Sequence, residues 1–136
     1  MKDSWKKFVP QAPTRAGSAE WFTGQVWISQ LIASPEPMNL RVVRVFFSPT
    51  ARTHWHTHPQ GQILHVKAGI SWFQRWGEAV LEIKAGDILY IPPGEKYWHG
   101  ASATQAMTHL ALQAAEKGTT AGWLESVSDE QYKANP

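Results

Sequence analysis

The stretch that decides the fold is residues 53–66, which read THWHTHPQGQILHV. Within it His54, His56 and His58 are spaced by two, so on a β-strand their side chains share one face. The PQG that follows them predicts a turn that reverses the chain. Gln62 then opens the next strand, where it can meet the last of the three histidines across a hairpin.

This spacing indicates a metal site. Two imidazoles and an amide oxygen on neighbouring strands are donors that first-row transition metals accept. We therefore predict that His56, His58 and Gln62 hold one divalent transition metal. His54 fits either a ligand or a residue beside the ligands, in the wall of the substrate pocket. His65 has the opposite parity to Gln62 and is expected to face outward.

The rest of the chain predicts an all-β fold. Its 136 residues (15.3 kDa) suit a single domain. Between about 24 and 113, short β-rich runs alternate with glycine and proline, which is typical of a sandwich or small barrel. Residues 1–20 are expected to form an extended N-terminal arm. The tail, 114–136, is expected to cover the barrel or contact a partner without chemistry of its own.

One feature of the tail is more specific. Ser128 is followed three residues later by Gln131, and this spacing predicts a capping box at the start of a short C-terminal helix.

Further polar residues should converge inside the barrel. In the run GDILYIPPGEKYWHG, Tyr97 and His99 are spaced by two, and AMTHLALQ places His109 and Gln113 on one face. Buried polar side chains need partners, so this convergence indicates a ligand, a metal or water. We predict His99 and His109 as pocket acid–base groups.

The walls of the same pocket can also be predicted. Val43 and Val45 should line it together with Gln113, which leaves a small, mostly apolar space for substrate.

Composition excludes several classes of protein. There are no cysteines, which excludes disulfide scaffolds and thiolate metal sites. The net charge is only +2, with no Lys/Arg cluster dense enough for nucleic acid. No apolar run approaches the ~20 residues of a membrane span, and no signal peptide is recognisable. We therefore expect a cytoplasmic protein with a small-molecule substrate.

The 8 tryptophans are the oddity of the composition. Trp55 and Trp98 alternate with the histidines, so both should point away from the metal. We expect them to pack an outer sheet face against the arm, the tail or a second subunit, and we predict a homodimer or higher homo-oligomer.

The motifs also carry a resemblance. The spacing of His56, His58, Gln62 and Gly69, followed by the run GDILYIPPGEKY, resembles the two motifs of the small single-domain cupins, over residues of about 50–101. The resemblance implies a double-stranded β-helix, or jelly-roll barrel. WHTHPQGQ, PGEKYWHGA and AMTHLA are most similar to small bacterial cupins related to manganese-dependent hydroxynitrile lyases, and WFTG and SDEQY extend the similarity towards both ends.

That resemblance implies a ligand set. It implies metal binding by His56, His58, Gln62 and the residue at position 97, with manganese as the metal and iron, zinc or nickel as alternatives. Position 97 is usually histidine in these cupins but is Tyr97 here. The phenol can ligate as phenolate, or His99, His54 or water can take its place. We favour His99 or water because a phenol with a pKa near 10 gives up its proton reluctantly.

The ligand set also bears on function. A His₂–Gln shell is neutral and leaves the full charge on the metal, which then acts as a strong Lewis acid. We predict a metal-dependent enzyme acting on a small organic molecule, and the resemblance implies cyanohydrin cleavage. The alternatives are an iron-dependent dioxygenase and a non-enzymatic cupin that binds a metal or small molecule.

Overall fold

The computed structural model describes residues 5, 7–8 and 14–134, and these form twelve strands and one short helix. The elements are β1 (Arg15–Ala16), β2 (Phe22–Thr23), β3 (Val26–Ala33), β4 (Leu40–Phe47), β5 (Arg52–Thr53), β6 (His56–Thr57), β7 (Gln62–Arg75), β8 (Leu81–Lys84), β9 (Ile88–Ile91), β10 (Tyr97–Ala101), β11 (Met107–Ala114), β12 (Gly122–Trp123) and α1 (Asp129–Lys133). The predicted all-β fold is confirmed.

The strands form one curled antiparallel sheet, a jelly-roll half-barrel. Its hydrogen-bonded order is β1-β3-β4-β11-β7-β10-β5-β2, with β8 and β9 also on β7, and β6 joined to β10 and β12. The long strand β7 links the two walls, because its first half pairs with β11 and β9 and its second half with β10 and β8.

The bend in β7 depends on Gly69. This residue has φ +80°, and a Cβ there would lie 1.9 Å from the carbonyl oxygen of Ala106. Only glycine tolerates both the backbone angle and the close approach. The bend therefore folds one strand into both walls of the half-barrel.

An apolar core closes the inside of the half-barrel. Val45, Phe47, Val66 and Met107 are all buried and form one cluster from three neighbouring strands. Their side chains point to the same inner face as Val43 of β4 and His109 of β11, because side chains two residues apart on a β-strand lie on one face. Two members of this core, Val45 and Phe47, also line the cavity beside the polar side chains.

The outer face of the second wall is covered by the chain's own tail. Trp55 and Trp98 are 1% and 0% exposed and pack in one cluster with Val127 and Tyr132 of the C-terminal segment. Both tryptophans face away from the histidines, as predicted. Because the tail covers them, their burial needs no second subunit. The two tryptophans therefore no longer support the homo-oligomer, which stays a prediction.

The tail is held in place by the predicted capping box. The Ser128 hydroxyl accepts a hydrogen bond from the Gln131 backbone N–H, and the Gln131 side chain accepts one from the Ser128 backbone. The Tyr132 hydroxyl donates to the carbonyl oxygen of Ala101 at 2.8 Å. A helix of only five residues is thereby fixed over the tryptophans, since short helices depend on caps and packing.

The opposite wall keeps an exposed apolar face. Its outward large side chains, at 38–66% exposure, are Trp27, Phe46, Ile63, Ile88 and Tyr90. At its edge, Arg15 and Ala16 of the predicted N-terminal arm pair with β3, and the end of that arm turns at residues 19–20. The arm was also predicted to include residues 1–13. Of these, all but residues 5 and 7–8 lie outside the described part of the chain. No helix among the described residues is long and apolar enough to cross a membrane.

Candidate functional site

The half-barrel encloses a cavity of about 450 Å³ between its two walls. This volume lies in the range of sites for small organic ligands. The lining combines apolar and aromatic side chains with four histidines and a loop of the tail. Its members include Ile28, Val43, Val45, Phe47, Thr53, His56, His58, Gln62, His99, His109, Ala111, Gln113, Thr120 and Trp123.

His56 and His58 lie side by side at the cavity wall, with ring centroids 5.0 Å apart. The Nδ1 of His56 lies 2.9 Å from the carbonyl oxygen of His54, and the Nδ1 of His58 lies 2.5 Å from that of Thr120. A carbonyl oxygen only accepts, so each Nδ1 carries the proton and each Nε2 keeps its lone pair. This tautomer is the one in which Nε2 can ligate a metal.

The electrostatics agree with neutral imidazoles at this pair. Burial, together with the neighbouring His58, lowers the pKa of His56 to about 3. Burial also lowers the pKa of His58 to about 4. The Nε2 of His58 is buried without a hydrogen-bond partner among the described residues. A buried nitrogen lone pair without a partner is the feature expected of a metal ligand.

Gln62 is held between two side chains. Its Nε2 donates to the Oε1 of Gln113 at 2.9 Å, so its own Oε1 faces the other way. That oxygen accepts a hydrogen bond from the Tyr97 hydroxyl. The amide is thereby oriented by both neighbours, and its carbonyl oxygen still has a second lone pair for a metal.

Tyr97 lies behind this amide and is not part of the cavity wall. It is completely buried, and β10 pairs it with His56 of β6. Burial raises the pKa of its phenol well above 10, so the hydroxyl stays protonated and acts as a donor. A protonated phenol that donates to Gln62 orients this amide and would itself be a poor metal ligand.

His99 and His109 form a second imidazole pair deeper in the cavity. Their centroids are 4.9 Å apart, and His99 lies 5.6 Å from His56. The ring of Phe47 lies 5.7 Å from one and 5.5 Å from the other. The Nδ1 of His99 and both ring nitrogens of His109 are buried without a hydrogen-bond partner among the described residues. These nitrogens are available to a ligand in the cavity.

Both of these histidines are neutral near pH 7. Burial, with the nearby His109 and His56, lowers the pKa of His99 well below 6.5. Burial lowers the pKa of His109 to about 4. A neutral imidazole with a free nitrogen accepts a proton, so the pair is equipped as a general base.

His54 corrects the predicted pocket. The strand breaks at residues 54 and 55, and Thr53 lines the cavity where His54 was expected. Thr53 accepts a hydrogen bond from the backbone N–H of His99 at 3.1 Å. Because the bend at Trp55 shifts the alternation by one residue, His54 leaves the face that His56 and His58 occupy. Neither the wall position nor the alternative ligand role predicted for His54 agrees with this placement.

The tail contributes more than a cover. Trp123 of β12 stacks on His56, with centroids 4.7 Å apart and planes at 26°, and on Trp21 at 5.4 Å. Thr120 supplies the carbonyl that orients His58. The tail therefore lines the cavity and contacts its histidines, in addition to the covering role that was expected, and the prediction that it has no chemistry of its own stays a prediction. The sequence contains no periodic pattern here, since β12 has two residues and pairs across a separation of more than 60.

The donor set fits a metal only if the amide is included. Among residues 5, 7–8 and 14–134, no three His, Cys, Asp or Glu side chains are grouped so that they could hold a metal ion. Two imidazoles whose Nδ1 atoms carry the proton and the oriented oxygen of Gln62 form a neutral, mixed N/O set, and the Nε2 of His58 has no hydrogen-bond partner among the described residues. Such a set suits divalent first-row metals.

The fold and this histidine-rich cavity define the class of protein. Residues 43–112, about half of the chain, match the cupin domain family, and the chain belongs to it. It is 53% identical over 127 residues to an (R)-mandelonitrile lyase from Granulicella tundricola, which covers 93% of this chain and 97% of that protein. The predicted resemblance to small single-domain cupins is confirmed.

Solved structures agree with the fold. A cupin-like protein from Thermotoga maritima superposes with a TM-score of 0.85 at 38% identity, covering 92% of this chain and 96% of that one. A polyketide cyclase from Streptomyces resistomycificus reaches a TM-score of 0.67 at 19% identity, with coverages of 95% and 92%. The second likeness concerns the fold alone.

Proposed function

We propose that this cupin is a lyase that cleaves a small cyanohydrin into a carbonyl compound and hydrogen cyanide. The observation that carries the proposal is the pair His99 and His109, whose unpartnered nitrogens lie in a small cavity with apolar and aromatic walls. The similarity to an (R)-mandelonitrile lyase supports the same class of substrate.

We propose that one divalent metal, manganese or else iron, zinc or nickel, binds to His56, His58 and Gln62. The support is the neutral donor set, with its free Nε2 atom and oriented amide oxygen. When bound, the metal supplies Lewis acidity for a substrate oxygen. The raised pKa of Tyr97 and its hydrogen bond to Gln62 argue against the phenol as the fourth ligand. Of the predicted alternatives, water is favoured over His99, because no three histidines among the described residues are grouped to hold a metal.

The protein's own residues supply the proton transfers. In the proposed step, a neutral imidazole of His99 or His109 removes the hydroxyl proton of the cyanohydrin. The C–O bond becomes a carbonyl as the C–C bond to the nitrile breaks, and that electron pair leaves with cyanide. The imidazolium then returns the proton to cyanide, so the histidine ends neutral again. Val43, Val45 and Phe47 hold the carbon skeleton away from water.

The test combines metal analysis with an assay. Metal content is measured by elemental analysis after purification without affinity metals, and cleavage of mandelonitrile is followed by the appearance of benzaldehyde. We expect about one metal ion per chain and cleavage that a chelator abolishes. His56→Ala with His58→Ala should remove both the metal and the activity, whereas the outward His65→Ala should retain both.

Two other results would contradict the proposal. Metal binding without cleavage of any cyanohydrin would favour a cupin that only binds ligands. Oxygen consumption with catechols or diketones, and none of the lyase reaction, would favour an iron-dependent dioxygenase.

A further inference from the structure

Arg15 is the only charged side chain among the described residues that line the cavity, since the lining histidines are neutral near pH 7. It lies on the edge strand β1, where the backbone pairs it with Ile28, which also lines the cavity. The short strand therefore fixes the backbone of Arg15 beside an otherwise uncharged cavity, where its side chain is exposed to solvent.

The described part of the cavity lining gives Arg15 no acidic partner. No aspartate or glutamate belongs to the described cavity lining. The ion pairs in the described part of the chain join Arg52 to Asp129, Arg75 to Glu95 and Lys96 to Glu125, all elsewhere. An anionic group that enters the cavity therefore meets one cation and no competing carboxylate.

The walls beside Arg15 indicate the shape of the remaining ligand. Trp21 and Trp123 stack with planes at 11°, and Phe22 lies 5.7 Å from Trp123. All three line the same cavity as Arg15. A flat apolar body can pack on these rings while its reacting carbon points to the histidines.

We propose that the substrate carries a carboxylate at the end opposite the reacting carbon, and that Arg15 binds this carboxylate. The inference rests on the proposed function and specifies its substrate as an anionic, flat 2-hydroxynitrile or its carbonyl product. A guanidinium is suited to this task because its planar fork can donate two parallel hydrogen bonds to one carboxylate.

The binding test uses two probes that differ by one group: 4-formylbenzoate and benzaldehyde. Calorimetric titration of the full-length protein should give about tenfold tighter binding of 4-formylbenzoate, in line with a charge-assisted hydrogen bond. Arg15→Gln should abolish this preference, and Arg15→Lys should retain part of it. Rising salt should weaken it, because the contact is at the solvent-exposed rim.

The matched control is Arg44→Gln, which removes the same charge from the outer face of the sheet. It should retain the preference for 4-formylbenzoate. Equal loss in both variants would show a general charge effect and overturn the assignment to Arg15. The absence of any preference in the unaltered protein would also overturn it. An unchanged preference in Arg15→Gln would overturn it too, and would place the carboxylate on the histidines or the metal.

Failure here is separable from failure of the proposed function. Titrations are run on chelator-treated and on metal-loaded protein and do not depend on turnover. A preference that requires Arg15, with no cleavage of any cyanohydrin, supports the carboxylate site and overturns the lyase. Cleavage of mandelonitrile without any preference for 4-formylbenzoate supports the lyase and overturns the carboxylate site.

Discussion

The two faces of the second wall carry aromatic and imidazole side chains from the same two stretches of chain, residues 55–58 and 98–99, yet they differ in one respect. On the outer face, the indole nitrogens of Trp55 and Trp98 donate to Gln131 and Gln74 at 3.3 and 2.8 Å. On the inner face, the Nε2 of His58 and the Nδ1 of His99 have no partner within the described residues.

The difference separates a structural layer from a functional one. Buried polar groups without partners destabilise a fold, so proteins keep them where a ligand will complete them. The tryptophan layer is complete within the chain, and its loss should affect stability. The histidine layer is incomplete, and its loss should affect chemistry. Four substitutions or conditions test this division.

The largest effect is expected from the deep histidine pair. His109→Ala should lower kcat/KM for cyanohydrin cleavage by about 10²–10⁴-fold, the usual contribution of a general base. The unfolding midpoint should fall little or rise, because a buried imidazole without partners is removed. The measurement is steady-state kinetics beside urea unfolding. Retained activity in both His109→Ala and His99→Ala would show that neither is the base.

The outer layer should respond in the opposite way. Tyr132→Ala removes a buried ring that packs on Trp72 and Trp98 and a hydrogen bond to Ala101. We expect a loss of roughly 3 kcal/mol in the free energy of unfolding, with kcat/KM unchanged at temperatures where the protein is folded. Tyr132→Phe, which keeps the ring, should lose only about 1 kcal/mol. A loss of activity without a loss of stability would contradict the division.

The pH dependence of stability follows from the lowered histidine pKa values. An unfolded histidine titrates near pH 6.5, whereas His58 and His109 titrate at about 4 in the folded protein. As the pH falls below 6.5, protons bind the unfolded chain first. The free energy of unfolding of the chelator-treated protein should therefore decrease between pH 6.5 and 4.

A substitution isolates one histidine in this pH dependence. The slope of the unfolding free energy against pH is proportional to the number of protons taken up on unfolding. His109→Leu should lower that number by about one. Urea unfolding at intervals across this range measures the slope. An identical slope in His109→Leu would mean that the buried imidazole does not titrate as its environment requires.

The smallest effect is expected at the junction between the two layers. Tyr97→Phe removes the hydroxyl that donates to Gln62 and leaves the ring in place. We expect retained metal, a stability change of about 1 kcal/mol and a several-fold lower activity through a less well-oriented amide. Elemental analysis measures the outcome, since loss of the metal would contradict a role of the hydroxyl that is limited to fine orientation of the amide.

Much of this arrangement follows from strand periodicity. The period of two places His56, His99 and His109 on inward faces and Trp98 on an outward one, because each lies within a regular strand or at its start. The turn before Gln62 sets the register of that strand. An alternation of this kind involves only a few neighbouring residues, so it can be recognised in the sequence before the fold is known.

The parts that the sequence did not reveal depend on irregular or distant contacts. His54 is displaced because the bend at Trp55 breaks the alternation that the prediction assumed. Trp123 and Arg15 reach the cavity from two-residue strands, which are too short to show a period. The oligomer inferred from Trp55 and Trp98 lost its basis because a five-residue helix of the same chain covers them.

The bent strand β7 has a consequence for how this cavity can change. Gln62 opens the strand, Val66 pairs with His109, and Phe73, beyond the Gly69 bend, pairs with His99. One continuous backbone therefore sets the spacing of Gln62, His99 and His109 in the cavity. Side chains on its inward face can therefore be substituted one at a time, by natural mutation or by engineering, while the backbone preserves the spacing of the remaining groups.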